Sequence, residues 1–265
     1  MPQPSSIQPI GSSFIELQSV DSTNNYARQL IHAACLPDRQ GLALHGVAIF
    51  AHEQVAGKGQ RGKVWATERG SNIVLSIIIN PQPLQLVQQF HLNACLAVAV
   101  HDFFSNYAGE ETKIKWPNDL YWQDRKAGGI LIESIVRSQE SKPGSWEWAI
   151  AGIGININQT SFSGDLFNPV SLKQITGKDF NPVELAKELC AVIELRYAEL
   201  NEDGFENIYN TYLNYLYKIN DRVKLKKGNI VFEALIKGVT PTGKLITQHS
   251  VEEEFDFGKV EWVIR

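Results

Sequence analysis

A chain of 265 residues with 43% hydrophobic and 20% charged residues has an ordinary globular composition, with room for one large domain or a large one plus a small one. About 70–75% of the unfolded surface is buried at this length, so no disulfide framework is needed; Cys35, Cys95 and Cys190 are widely spaced, read as core residues and fit a reducing, cytoplasmic setting. The net charge of −4 argues against a generic nucleic-acid surface, and neither a secretory leader nor an apolar run of about 18 residues is seen, so neither DNA nor a membrane is an expected partner.

Residues 1–12 read as a loose polar leader. Phe14-Ile-Glu-Leu17 is strand-like, and Ser22 or Thr23 can cap a helix that runs to about Ala34. Strands are expected from Gly46 to Ala51 and from Asn72 to Ile79, with a helix from Leu84 to about Tyr107 that Gly109 stops. Thr112–Trp116 is a strand ended by Pro117. Leu120–Trp122 and Ile130–Val136 suggest a hairpin around a turn at Gln123–Gly129, and Trp146–Ile153 is a further strand. Asn181, Pro182 and Glu184 supply an N-cap, a first-turn proline and an acid for a helix that, with the next, reaches Tyr217. Residues 220–265 alternate apolar and polar, with turns at Lys227–Asn229, Pro241–Gly243 and Phe257-Gly258, so a small all-β barrel of 218–265 is expected after a larger α+β domain of 1–217.

The segment Gly57-Lys-Gly-Gln-Arg-Gly-Lys-Val-Trp65 carries three glycines, three cations and no acid between two strand-like runs. Glycines allow sharp bends and close approach to a ligand, and clustered N–H groups and cations suit a polyanion such as a nucleotide phosphate. Three familiar motifs nearly fit. The dinucleotide fingerprint requires a helix to open at the third glycine, and here Trp65, Gly70 and a β-branched run follow. The P-loop requires Ser or Thr where Val64 stands. The kinase loop G-x-G-x-x-G-x-V matches, but no H-R-D is present and Asp256-Phe257-Gly258 lies too close to residue 265 for an activation loop, so that triplet reads as chance. A basic hairpin without a ligand is the plain alternative.

Four polar clusters end or interrupt strands: Asp21–Asn24, the basic loop, Lys115–Asp119 with Asp124–Gly129, and Ala151–Asn156. Loops carry chemistry more often than the elements they join. Singly, each has a plain explanation: Ser22 as a helix cap, Lys126 as a solvated turn lysine, Trp65 as core, Gly152 and Gly154 as aids to packing, Asn118 and Asp119 as a turn after Pro117.

Together, the stretches DSTNNYA, EQVAGKGQRGKVW, GSNIVLSI, KWPNDLYW, DRKAGGILIE and AGIGININ resemble the biotin protein ligases, in that family's order over residues 21–158. The resemblance implies a mixed-sheet catalytic domain of the biotin/lipoate ligase type followed by an SH3-like barrel. It implies ATP as cosubstrate, with Mg²⁺ held by its phosphates, and a biotin carboxyl carrier domain as partner; it allows a homodimer. Biotin carboxylate would attack the α-phosphate of ATP, and a carrier lysine would then take biotin from the adenylate. By the same resemblance Lys126 is the main catalytic candidate, joined by Arg61, with Asp119 orienting or deprotonating the incoming amine. Ser22, Thr23, Asn24, Gln54, Gly57, Lys58, Gln60, Lys126, Gly129 and Gly152 would serve biotin. Lys58, Gln60, Arg61, Lys63, Trp65, Asn118, Lys126 and Asn156 would serve ATP and the adenylate.

Two departures stand out. The family loop usually reads G-R-G-R-x-G-R, and here Lys58 and Gln60 replace the first two arginines and Lys63 the third. Gln60 carries no charge, so adenylate retention is expected to rest more on Arg61 and Lys126. Some members carry a DNA-binding helix-turn-helix domain ahead of the catalytic part, and only 20 residues precede Asp21, so an enzyme without repressor activity is expected. A lipoate or octanoate ligase or transferase is the nearest rival, because those families share the fold; an adaptor built on the β-rich end would leave Lys126 and the loop unexplained.

Overall fold

The computed structural model describes residues 8–34, 43–139, 142–163 and 168–263. Seven strands form one mixed sheet: β1 (Phe14–Leu17), β2 (Ala48–Ala51), β3 (Ile73–Ile79), β4 (Thr112–Lys115), β5 (Asp119–Trp122), β6 (Arg125–Gln139) and β7 (Lys142–Ile155), in the order β1-β2-β3-β7-β6-β5-β4. Only β1 and β2 pair in parallel; the other neighbours are antiparallel. Five further strands, β8 (Arg222–Lys227), β9 (Ile230–Val239), β10 (Leu245–Gln248), β11 (Glu252–Phe255) and β12 (Glu261–Trp262), make an antiparallel sheet in the order β11-β10-β9-β8-β12. Mixed sheet, antiparallel sheet and flanking helices are the α+β class expected from the pattern.

The helices divide the seven-stranded sheet into two faces. α1 (Thr23–Ala34) packs on one, where Ala27 and Ile31 meet Ile49, Ile78 and Ile150. α2 (Gln89–Ala108) and α4 (Pro182–Glu202) cover the other, over Phe50, Leu75, Ile77, Ala151 and Ile153, with α5 (Phe205–Asn214) beside them. All seven residues of β3 are buried, as expected of a strand covered on both sides, and this explains its unbroken β-branched run. A short α3 (Leu172–Thr176), capped at both ends by Ser171 and a left-handed Gly177, has too few residues to show a helical period in the sequence.

Local signals fixed several boundaries. Asn181 Oδ1 accepts from the N–H groups of Val183 and Glu184 and starts α4 as expected. Gly109 ends α2. Gly228, Gly243 and Gly258 take positive φ at the three turns foreseen in the second sheet.

Two local expectations are corrected. The turn expected at Gln123–Gly129 closes within Gln123 and Asp124, and β6 begins at Arg125, so Lys126 and Gly129 are strand residues. Gln123 supplies the left-handed conformation (φ 51°) that makes this tight connection. The leader is tied down by residue 10: Ile10 is buried, its N–H bonds Glu194 at 2.7 Å, and Gly11 N–H bonds Gly46. Cys95 and Cys190 are buried as expected; Cys35 lies outside the described residues.

Candidate active site

Strand register assembles the site. Cross-strand partners point to the same face, and so do residues two apart along a strand. Lys115 faces Asp119 across β4–β5, Asp119 faces Gly129 across β5–β6, Gly129 faces Gly154 across β6–β7, and Gly154 faces Val74 on β3. A second row runs Leu131–Gly152–Ser76, and Tyr121 pairs with Lys126. This is the face that carries α1. Three glycines in adjacent rows leave its centre bare, and the bare patch floors a cavity of about 1100 Å³.

One end of the cavity is a network of amides and hydroxyls. Thr23 donates to Gln54 Oε1 through its backbone N–H (2.8 Å) and its hydroxyl (3.1 Å). Ser76 Oγ lies 2.7 Å from Thr23 Oγ1 and 2.6 Å from Asn24 Oδ1. Asn24 Nδ2 donates to Glu133 at 2.8 Å, and Arg28 and Lys58 lie 3.3 and 3.8 Å from that carboxylate. Ser22, Thr23 and Asn24 are each at most 3% exposed. The Ser22 carbonyl accepts from Tyr26 N–H, opening α1, and its side chain borders the cavity. A Cβ on Gly152 would strike the Asn24 amide.

The basic loop folds back as a hairpin over the other end. Trp65 N–H bonds Gly57, Gly59 N–H bonds Lys63, and a single 3₁₀ turn spans Gln60–Gly62. Arg61 (φ 57°) and Gly62 (φ 76°) are both left-handed, which lets the chain reverse at its tip. Trp65 is half-buried, with its ring directly over the bare Gly154. It is therefore cavity wall, and its indole N–H has no partner among the described residues. Lys58, Gln60, Arg61 and Lys63 also border the cavity; Gly57 does not. A side chain at Gly57 would collide with the Trp65 carbonyl and crowd Gln54, so its bareness serves the hairpin and the Gln54 amide.

Charge collects in the middle. Lys126 Nζ donates to Asp119 Oδ1 at 2.6 Å, both side chains being about three-quarters enclosed or less. A Cβ on Gly129 would stand 3.0 Å from Asp119 Oδ1 and 3.5 Å from Lys126 Nζ, so glycine there gives the pair its room. Asn118 donates to the Ile130 carbonyl, which also receives Gln60 Nε2 at 3.3 Å; Asn156 donates to Val170 O at 3.1 Å. Both asparagines are buried and border the cavity. The second sheet closes the far side with Phe257, Val260 and Trp262. Phe257, in the triplet taken for a chance kinase match, stacks edge-on against Trp116 at 5.8 Å, and the Arg61 guanidinium rests on Gly258.

Every residue expected at the site except Gly57 thus borders one cavity. Lys115 and Gly154 were named within the polar clusters but given no role at the site, and Trp262 of β12, with Ser76 and Glu133 behind the amide pocket, was not singled out from sequence. Lys115 occupies the half-exposed phase of β4, opposite buried Thr112 and Ile114, and looks there like a surface lysine.

A family model described as the Biotin/lipoate A/B protein ligase family matches residues 18–145. The bifunctional ligase/repressor BirA of Bacillus spizizenii is 30% identical over 250 residues, covering 92% of this chain and 72% of that protein. The chain belongs to the biotin protein ligase family. A biotin–[acetyl-CoA-carboxylase] ligase of Paracoccus denitrificans is also 30% identical, over 87% of this chain and 92% of its own length. The solved biotin protein ligase from Aquifex aeolicus in complex with biotin and ATP matches with a TM-score of 0.76 at 23% identity, over 96% of this chain and 100% of that one, which is a likeness of fold. The model match takes in the start of α1, the basic loop and the Lys126–Asp119 pair; Gly152, Gly154 and Asn156 lie beyond it.

Proposed function

We propose that this biotin protein ligase family member activates biotin with ATP as biotinyl-5′-adenylate and transfers it to a lysine of a biotin carboxyl carrier domain. The observation that carries this reading is convergence: an amide-rich pocket, an aromatic wall and a lysine–carboxylate pair, drawn from residues 22 to 156, border one cavity. The polar end suits the ureido ring of biotin, since an unpaired buried polar group costs about 1–3 kcal/mol. Trp65 over Gly154, with Asn118 and Asn156 nearby, suits the adenylate half. Carboxylate and α-phosphate repel by about 4 kcal/mol at about 4 Å in a medium of effective dielectric near 20, and Lys126, on the wall of the same cavity, is the cation we assign to their meeting point. Lys58, Arg61 and Lys63 add charge from the hairpin and exclude water from the anhydride.

Mg²⁺ enters in this reading on the triphosphate. Amides and ammonium groups predominate in the cavity and suit a magnesium ion ligated mainly by phosphate and water oxygens. Among the described residues no helix is long and apolar enough to cross a membrane. The unpaired buried thiols of Cys95 and Cys190 fit a reducing setting such as the cytoplasm.

ATP–pyrophosphate exchange driven by biotin, followed by labelling of an apo carrier domain, tests the reading. Exchange that answers to lipoate or octanoate and not to biotin would overturn it.

The glycine rows make a second test. Gly152→Ala displaces Asn24, and Gly154→Ala displaces Trp65. The first is expected to raise the KM for biotin about ten- to hundredfold, the worth of one or two lost hydrogen bonds, with little change for ATP. The second is expected to act mainly on ATP. Steady-state exchange with each substrate varied checks the split, and a reversed pattern rejects the assignment of the two ends.

Gln60→Arg restores the charge that the family loop usually carries, and is expected to slow release of the adenylate several-fold. A filter-retention time course of labelled biotinyl-adenylate measures it, and unchanged or faster release contradicts it.

A further inference from the structure

Lys115 faces the cavity as a charge without an ion-pair or hydrogen-bond partner among the described residues: no carboxylate of theirs lies within 4.0 Å of its Nζ and no acceptor bonds it. Instead Nζ sits 5.0 Å from the centre of the Tyr121 ring and 5.6 Å from that of Trp262, and Tyr121, Tyr217 and Trp262 stack in a chain behind it. Two aromatic faces hold a cation in place but offset little of its lost hydration. Desolvation pushes the ammonium down to about 8; Asp119 opposes this, and Lys126 and Lys63 add to it. A fold that holds an unpaired ammonium facing a cavity, with two more lysines nearby, is complete only with a polyanion in that cavity.

Position selects which anion. Across the sheet the order β3-β7-β6-β5-β4 places the Ser76–Gly152 pocket first, Gly129 and Asp119 next, and Lys115 on the last strand, beneath β12 of the second sheet. A ligand whose ureido ring fills the first position and whose reacting centre lies at Lys126 directs its far, anionic end toward Lys115.

We propose that Lys115, framed by Tyr121 and by Trp262 of the second sheet, binds the β- and γ-phosphates of ATP and stabilises the departing pyrophosphate. This rests on the adenylating function proposed above. As the biotin carboxylate oxygen bonds to the α-phosphorus, the bond from that phosphorus to the bridging oxygen breaks. The electron pair leaves on pyrophosphate, where Lys115 meets the growing charge. Transfer to the carrier releases AMP and involves no pyrophosphate, so Lys115 serves the first half-reaction alone.

Lys115→Met keeps the aliphatic stem and removes the charge. With the full chain, the variant is expected to show at least a tenfold loss in biotin-dependent ATP–pyrophosphate exchange, and transfer from supplied biotinyl-adenylate to an apo carrier within twofold of wild type. Lys115→Arg should recover part of the exchange. The melting temperature of Lys115→Met without nucleotide should equal or exceed that of wild type, because an uncompensated charge has gone. Equal losses in both half-reactions, undiminished exchange, or loss of transfer alone would each overturn the proposal. Titration with inorganic pyrophosphate separates this inference from the functional reading. Wild type that makes no adenylate overturns the reading, while pyrophosphate binding at least tenfold weaker in Lys115→Met than in wild type still upholds the site, and equal binding rejects it.

Discussion

Lys126→Ala is expected to slow biotinyl-adenylate formation by about a hundredfold to a thousandfold, the usual loss when one preorganised group facing developing charge is removed. Lys126 borders the same cavity as the amide pocket and the Trp65 wall, bonded to Asp119 at 2.6 Å. In the proposed reaction two anions are brought together, and Lys126 is the cation assigned to offset their repulsion. The substitution also leaves Asp119 without its ion pair in a partly enclosed setting, which by itself can destabilise the fold. Lys126→Met with Asp119→Asn removes both charges together and separates the two effects: it should melt close to wild type and still form no adenylate at a useful rate. ATP–pyrophosphate exchange alongside thermal melting measures both. Exchange within about threefold of wild type in a folded Lys126→Ala protein would remove Lys126 from the chemistry.

The same lysine shows what a sequence can and cannot reveal. Its neighbourhood was legible because six separate stretches kept a recognisable order, and because helix caps and turn glycines act locally: Asn181, Gly109 and Gly258 do what their residue types suggest. The direction in which Lys126 points was not legible. Flanked by Arg125 and Ala127, it reads as part of a long turn, and a one-residue change of register would send it to the face covered by α2 and α4. Only pairing with Tyr121 decides that. Lys115 was hidden for a related reason, since alternation on an edge strand gives one phase the look of solvent, and the surface covering that phase is β12, about 150 residues later. Gly154 was visible as a glycine but not as the seat of Trp65, a contact between residues about 90 positions apart. The short helix α3 and the anchoring of Ile10 were missed because a five-residue helix and a single buried side chain carry no period to detect.

Asp119→Asn is expected to divide the two half-reactions. Asparagine keeps an oxygen at the position that receives Lys126, so the lysine stays in place and adenylate formation should fall by no more than about tenfold. Transfer is different. A carrier lysine has an ordinary pKa near 10.4, so almost all of it is protonated at neutral pH and must lose a proton before it can attack the anhydride carbon. At rest the Asp119 carboxylate is engaged with Lys126. Once that ammonium faces the adenylate phosphate, the carboxylate is expected to take the proton, with the anhydride then breaking to release AMP. Loss of a general base costs about 10²–10⁴-fold, so transfer from supplied biotinyl-adenylate should drop by that order. Hydroxylamine, which is neutral at pH 7 and needs no base, should consume the adenylate on Asp119→Asn as fast as on wild type. If formation and transfer decline together, and hydroxylamine is slowed as well, Asp119 acts only by holding Lys126 in position.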